Sequence, residues 1–257
     1  MPIPRYHVPD DLAPGASGHL SAEQTRQTRA VLRLRVGDAL TLFNGSGVEA
    51  TGVLMTLDQP GALFEVLSVA WPEREPPVRV TVGLALLRGE NFELALQKLT
   101  ELGVARITPL SAERCVVSLA AAADWEKRNV RYTRVAREAA EQSERVTLPA
   151  IDAPMPVEGF LERQATLALV ERAAGRPLAG LMFDADVALA VGPEGGWAER
   201  ELRAIERLAG GTASLGGLIY RAETAAIVAA GVIIQQAWAR HERGAKHSAW
   251  ASNESLT

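Results

Sequence analysis

The spacing of apolar and polar positions changes character near residue 78. Before it, short stretches carry the period of strands. Ala39-Leu-Thr-Leu-Phe43 alternates weakly, Asn44-Gly-Ser-Gly47 is a turn signal, and Val48 to Leu57 continues beyond it, which predicts a hairpin. Ala62 to Val69 predicts another strand. Ser21 is placed to cap a short helix, with Gln24 as its capping-box partner. Residues 1–72 therefore read as a small β-barrel with one helix. The proline- and charge-rich stretch Trp71 to Pro77 follows, and residues 73–77 read as a linker.

From Val78 onward strand-like and helix-like segments alternate, the mark of a mostly parallel sheet covered by helices. Val78 to Leu87 predicts a strand. Phe92 to Leu102 predicts a helix with Phe92, Leu96 and Leu99 on one face, ended by Gly103. Val104 to Leu110 and Glu113 to Val117 read as extended. A long helix is expected from Asp124 to about Glu144, a short one over Leu161 to Gln164, and a strand over Thr166 to Val170. Gly175 to Asp186 is loop-like. The apolar run Val187 to Val191 predicts a buried strand, Trp197 to Leu208 an amphipathic helix, and the residues after Ser214 a loop opening an apolar helix, with Thr224 as a candidate cap. That apolar segment ends near Gln236, and the polar residues 244–257 read as a flexible tail.

Composition narrows the class. The chain has 257 residues, enough for two modest domains, and an apolar content of 47% fits a folded protein. No apolar run approaches the length of a membrane span. A single cysteine, Cys115, rules out an intramolecular disulfide, and four scattered histidines show no metal-ligand spacing, so no metal is expected. A cytoplasmic setting is the expectation. A net charge of −4 argues against general stickiness toward nucleic acid, so any RNA contact rests on local clusters of arginine.

Between the apolar run and the amphipathic helix lies Gly192-Pro-Glu-Gly-Gly196. Glycines let backbone groups approach a ligand closely, and proline stiffens the turn. The loop is neither a dinucleotide fingerprint nor a phosphate-binding loop with its Lys and Ser/Thr. Glu194 within it would repel a pyrophosphate, so a polar, neutral or cationic ligand suits it better. A strand-to-helix turn without a ligand fits the same residues.

Gly192 to Gly196, followed by Leu215-Gly216 and Arg221-Ala-Glu-Thr-Ala225, resembles the bacterial 16S ribosomal RNA uridine N3-methyltransferases, a family of the SPOUT class. Lys98-Leu-Thr-Glu-Leu-Gly-Val104, Ile107-Thr-Pro-Leu110, Glu113-Arg114 and Glu138 to Ser143 match it in the same order. The resemblance covers nearly the whole chain. It implies an α/β fold: a SPOUT trefoil-knot methyltransferase domain over residues 78–243, preceded by a PUA-like RNA-binding barrel. It also implies S-adenosyl-L-methionine as cofactor, 16S ribosomal RNA of the small subunit as partner, and a homodimer using the helix from Ala225 to Trp238.

By the same resemblance three loops bind the cofactor. They are Leu169-Val170-Glu171, the glycine loop with Gly192, Glu194, Gly195 and Gly196, and a third with Leu215, Gly216, Leu218, Ile219 and Arg221. Leu218 stands where the family usually has Arg, and Tyr220 where it has Leu. Arg88 and Asn91 also depart from its pattern. Arg26, Arg29 and Arg33, on the helix near the N-terminus, are candidate RNA contacts. So are Arg128 and Arg131, which begin an i, i+3 stripe continued by Arg134 and Arg137. A solvated helix face also accounts for both sets, and on residues alone it is the better account of the first. Lys98 either lines the site or pairs with Glu101. Gln142 and Arg145 fall on a segment that resembles one lining the active site.

Removing the proton from uracil N3 calls for a base and for donors that hold the charge on the carbonyl oxygens. Arg221 and Glu223 supply one candidate of each kind and are the expected catalytic pair. Two other functions fit parts of the sequence: a ribose 2′-O methyltransferase of the same superfamily, and a non-catalytic RNA-binding protein.

Overall fold

The computed structural model describes residues 3–57, 61–88, 90–117, 122–171, 176–183 and 186–254, with side chains described as far as residue 243. It divides into two compact units. One holds Met1–Glu75 and Arg137–Leu148, the other Pro76–Ala136 and Pro149–Thr257.

The first unit begins with strands β1 (Arg5–His7) and β2 (Ser17–His19), then helix α1 (Ala22–Arg26). Strands β3 (Ala39–Phe43), β4 (Glu49–Leu54) and β5 (Leu63–Ala70) follow. They form one five-stranded sheet in the order β1-β3-β4-β5-β2. The predicted hairpin is β3–β4, antiparallel from Ala39↔Val53 to Phe43↔Glu49. Its inward positions, with Tyr6, Leu20 and Phe64, make the core. The predicted capping box is present: Gln24 N–H donates to Ser21 Oγ at 3.2 Å and Ser21 N–H to Gln24 Oε1 at 3.0 Å. Past Arg26 the helix widens into a π-turn over Gln27–Val31, and Arg33 then takes a left-handed φ of 54°. The buried face of this segment is polar. Thr28 Oγ1 lies 2.7 Å from the Tyr6 hydroxyl, and Thr25 Oγ1 accepts from Ala62 N–H at 3.0 Å. Arg26, Arg29 and Arg33 are left exposed.

Residues 137–148 join this unit, although the sequence assigns them to the second. Glu75 holds them: it accepts from Arg145 Nη2 at 2.7 Å and from the backbone N–H groups of Val146 and Thr147, both at 3.2 Å.

The second unit opens with β6 (Val80–Ala85), α2 (Asn91–Leu102) and β7 (Arg106–Ser111). Helix α3 spans Ala122–Gln142, its residues from Arg137 on belonging to the first unit. Two short strands, β8 (Ala150–Ile151) and β9 (Met155–Pro156), precede α4 (Val157–Arg163) and β10 (Thr166–Leu169). Then come β11 (Arg176–Pro177), β12 (Val187–Val191), α5 (Glu199–Leu208), β13 (Gly211–Ser214) and α6 (Ala222–Glu254). The main sheet is parallel and runs β11-β13-β10-β12-β6-β7-β8. Strand β12 is buried on both faces, as its unbroken apolar run requires. Its larger residues Val187, Leu189 and Val191 pack with α2 and α6, and the small Ala188 and Ala190 with α4 and α5. Gly103 closes α2 at φ 97°, where an added Cβ would lie 2.4 Å from Pro76.

Four expectations need correction. Residues 113–117 form turns rather than a strand, because Glu113 is held by a carboxylate and not by a neighbouring strand. Thr224 is no cap: α6 begins at Ala222 and Thr224 lies inside its first turn. The polar tail continues α6 as far as Glu254, consistent with the helix-forming Ala, Arg, Lys and Glu it carries. The segment Ala222–Arg243 also reaches a mean hydropathy of 1.2, long and apolar enough to span a membrane by length and composition, but its apolar face is spent on the core of the α/β unit. Gly175, Asp184 and Ala185, within the expected loop, lie outside the described residues.

Candidate functional site

Strands β13, β10 and β12 are neighbours in the parallel sheet. Their carboxyl ends release the three loops that the sequence singled out. Ligands of open parallel sheets bind at this edge. The loops enclose a cavity of about 520 Å³. Leu169, Val170 and Glu171 line it from the first loop, and Gly192, Glu194, Gly195 and Gly196 from the second. Leu215, Gly216, Leu218, Ile219 and Arg221 line it from the third. All the residues expected to hold a cofactor thus meet in one place.

The glycines have separate reasons. Gly196 sits at φ 69° and closes a turn through its N–H to the Pro193 carbonyl at 2.9 Å. Gly192 has no room for a side chain: a Cβ there would lie 3.0 Å from the Trp197 ring. At Gly195 a Cβ would lie 3.2 Å from that of Arg114.

The loops are tied to one another. Trp197 Nε1 donates to the Leu169 carbonyl at 2.8 Å, linking the second loop to the first. Val170 N–H donates to the Ala213 carbonyl at 3.2 Å. Glu201, 4% exposed, accepts from Ala198 N–H with one carboxylate oxygen and from Glu113 N–H with the other, each at 2.8 Å. Next to Glu113, Arg114 Nη1 donates to the Gly195 carbonyl at 3.1 Å. Sequence reasoning missed Trp197, Arg114 and Glu201 as builders of the site. The first was legible as a bulky ring five residues after a glycine. The other two depend on which strands are neighbours.

The charges on the lining are mixed: Glu171 and Glu194 against Arg114 and Arg221. Glu194 Oε1 accepts a long bond from Arg88 N–H at 3.4 Å. Cys115 is half-buried, and that burial raises its thiol above the ordinary value. Among the described residues no group of three metal-ligating side chains exists. The cavity suits a polar ligand with a cationic centre, consistent with the carboxylates on its wall.

Arg221 and Glu223 stand differently. Arg221 is exposed and lines the cavity. Glu223 is 4% exposed, does not line it, and has Oε2 without a hydrogen-bond partner. The two do not pair with each other.

None of the expected RNA contacts lines this cavity. Lys98 pairs with Glu101 at 2.8 Å and Arg131 with Glu93 at 2.7 Å. Arg128 hydrogen-bonds Tyr132. Gln142 lines a polar cavity of about 650 Å³ within the first unit. Arg145 has a side chain only 7% exposed and spends its donors on Glu75 and Thr147, so its role is to hold the first unit together.

The RNA methyltransferase domain family matches residues 74–234. The chain is 34% identical to ribosomal RNA small subunit methyltransferase E of Synechocystis sp. over 219 residues, covering 82% of this chain and 70% of that protein. It is 34% identical to the protein of the same name from Mycobacterium bovis, over 85% of this chain and 86% of that one. A crystal structure of ribosomal RNA small subunit methyltransferase E from Neisseria gonorrhoeae bound to S-adenosyl methionine superimposes with a TM-score of 0.80 at 30% identity, covering 89% of this chain and 95% of that chain.

Proposed function

This chain belongs to the RNA methyltransferase family, and on that premise we propose that it methylates N3 of a uridine in 16S ribosomal RNA. It is an RNA methyltransferase, and its cofactor is S-adenosylmethionine. The observation that carries the proposal is the meeting of three separate loops in one cavity at the carboxyl edge of β13, β10 and β12.

That cavity fits the cofactor. Its glycines leave backbone exposed, Glu171 and Glu194 suit a cationic sulfonium, and no phosphate-binding Lys is present on the wall. The three loops would hold the cofactor, which supplies an electrophilic methyl group. Arg221, at the wall, donates to a uracil oxygen and stabilises the charge that develops there. Glu223 accepts the N3 proton, directly or through water, or else orients Arg221. Its carboxylate is buried close to Arg221 in sequence and off the cavity wall, which favours action through water or through Arg221 over direct contact with the base.

We read the first unit as a PUA-like barrel and the second as a trefoil knot, a reading supported by the position of β13 between β10 and β11. Arg26, Arg29 and Arg33 would position RNA through its phosphates, with Arg128, Arg131, Lys98 and Gln142 as secondary candidates. A homodimer is supported by the half-buried apolar residues Val232 and Trp238 on α6. Cytoplasmic work on the small subunit follows from the substrate.

Reverse transcription of treated RNA tests the proposal. A methyl on N3 removes the pairing donor of uracil, so extension should stop one nucleotide before the target. A 2′-O-methyl group leaves the pairing edge intact. Methylated RNA that gives no stop would replace the base-methylation reading with the ribose one.

A further inference from the structure

We propose that Arg114 grips a phosphate of the substrate RNA at the mouth of the cavity, and so sets where the target nucleotide enters. This rests on the RNA methyltransferase reading above. Arg114 is exposed and lines the same cavity as Arg221. Its position is fixed from two sides: Nη1 donates to the Gly195 carbonyl at 3.1 Å, and the preceding backbone is pinned by Glu201 through Glu113 N–H at 2.8 Å.

Among the described residues no ion pair engages its guanidinium. Three other cations of this unit are spent: Lys98 on Glu101, Arg131 on Glu93, Arg200 on Glu158. One N–H of Arg114 goes to a neutral carbonyl, leaving four donors and a full positive charge. Guanidinium presents paired N–H groups in the geometry a phosphate accepts. A strand that delivers a base to Arg221 carries a phosphate on each side of that nucleotide, and Arg114 is the second cation on the wall. The wall's carboxylates, Glu171 and Glu194, suit the cofactor's positive centre, which leaves Arg114 beside Arg221 for the RNA.

The test uses the full chain with 16S RNA and saturating S-adenosylmethionine. The KM for RNA is measured against potassium chloride concentration for wild type, Arg114→Gln and Arg114→Lys, with cofactor Kd by calorimetry. Losing one phosphate contact should reduce the slope of log affinity against log salt by about one. At saturating cofactor, Arg114→Gln is expected to lose that slope and raise the KM for RNA about tenfold, whatever the lost bond to Gly195 costs in cofactor affinity. Arg114→Lys is expected to keep the slope. An unchanged slope in Arg114→Gln overturns the proposal. So does a loss confined to cofactor affinity, which would assign Arg114 to the glycine loop or the cofactor carboxylate. A wild-type chain that methylates no RNA at all would instead remove the reading beneath it.

Discussion

Trp197 and Leu169 are joined across the carboxyl edge of the sheet: the indole Nε1 donates to the Leu169 carbonyl at 2.8 Å, in a buried setting. The ring also occupies the space that Gly192 leaves, so one side chain fixes two loops. Trp197→Phe keeps an aromatic ring but deletes the donor and the five-membered ring that carries it. Leaving the buried carbonyl unpaired should cost ~1–3 kcal/mol of stability. It should also loosen the first loop and weaken cofactor binding by ~1 kcal/mol, about fivefold in Kd. Denaturant unfolding and calorimetry check the two effects. Unchanged cofactor affinity would show that the first loop does not depend on this bond.

Gly195→Val should abolish cofactor binding. A Cβ at this position already lies 3.2 Å from that of Arg114 and 3.5 Å from its carbonyl oxygen, and valine adds two methyl groups beyond it. Gly195→Ala should show a partial loss. Calorimetry giving wild-type affinity for the valine variant would place the cofactor elsewhere.

The glycine loop was legible because it follows a short apolar strand and carries its own turn residues, whereas Leu169 to Glu171 and Leu215 to Arg221 were placed only by resemblance to a known family. That strand is Val187 to Val191, where burial on both faces leaves no polar position. What joins the loops was not legible. Chain order does not say that β10 lies between β12 and β13, so the Trp197–Leu169 bond and the approach of Arg114 to Gly195 had no local signal. The capture of residues 137–148 by the first unit is hidden for the same reason. It depends on Glu75 meeting Arg145, seventy positions along the chain. The π-turn after Arg26 is legible only once Thr28 is known to be buried against Tyr6.

Two carboxylates in the first unit should give stability opposite pH dependences. Burial raises Glu141 above its ordinary value, although His7 N–H and Gln24 donate to it. Its contribution is therefore full below the unfolded value of about 4.5 and is lost as pH rises through the folded value. Burial also acts on Glu49, but hydrogen bonds from Arg74 and Arg5 outweigh it and lower its value. Its contribution is present above about 4.5 and is lost as pH falls through the folded value. Unfolding midpoints between pH 3 and 7 should show Glu141→Gln gaining on wild type as pH rises. Glu49→Gln should fall behind wild type over the same range. Parallel curves for both variants would contradict these assignments.

Arg221→Ala and Glu223→Gln should each lower the single-turnover rate by roughly 10²-fold at saturating ligands, the scale of an oxyanion donor or a general base. Cofactor affinity should hold in Glu223→Gln, which lies off the cavity wall. If Glu223→Gln keeps the wild-type rate, its buried carboxylate shapes the start of α6, and hydroxide or another group takes the proton.

Nucleoside mass spectrometry tests the central claim most directly. The chain is incubated with small-subunit ribosomal RNA and methyl-labelled S-adenosylmethionine, and the RNA is digested to single nucleosides. The label should appear in 3-methyluridine and disappear when Gly195→Val replaces the wild type. Label in a ribose-methylated nucleoside, or no label in the RNA, would contradict N3 methylation by this cavity.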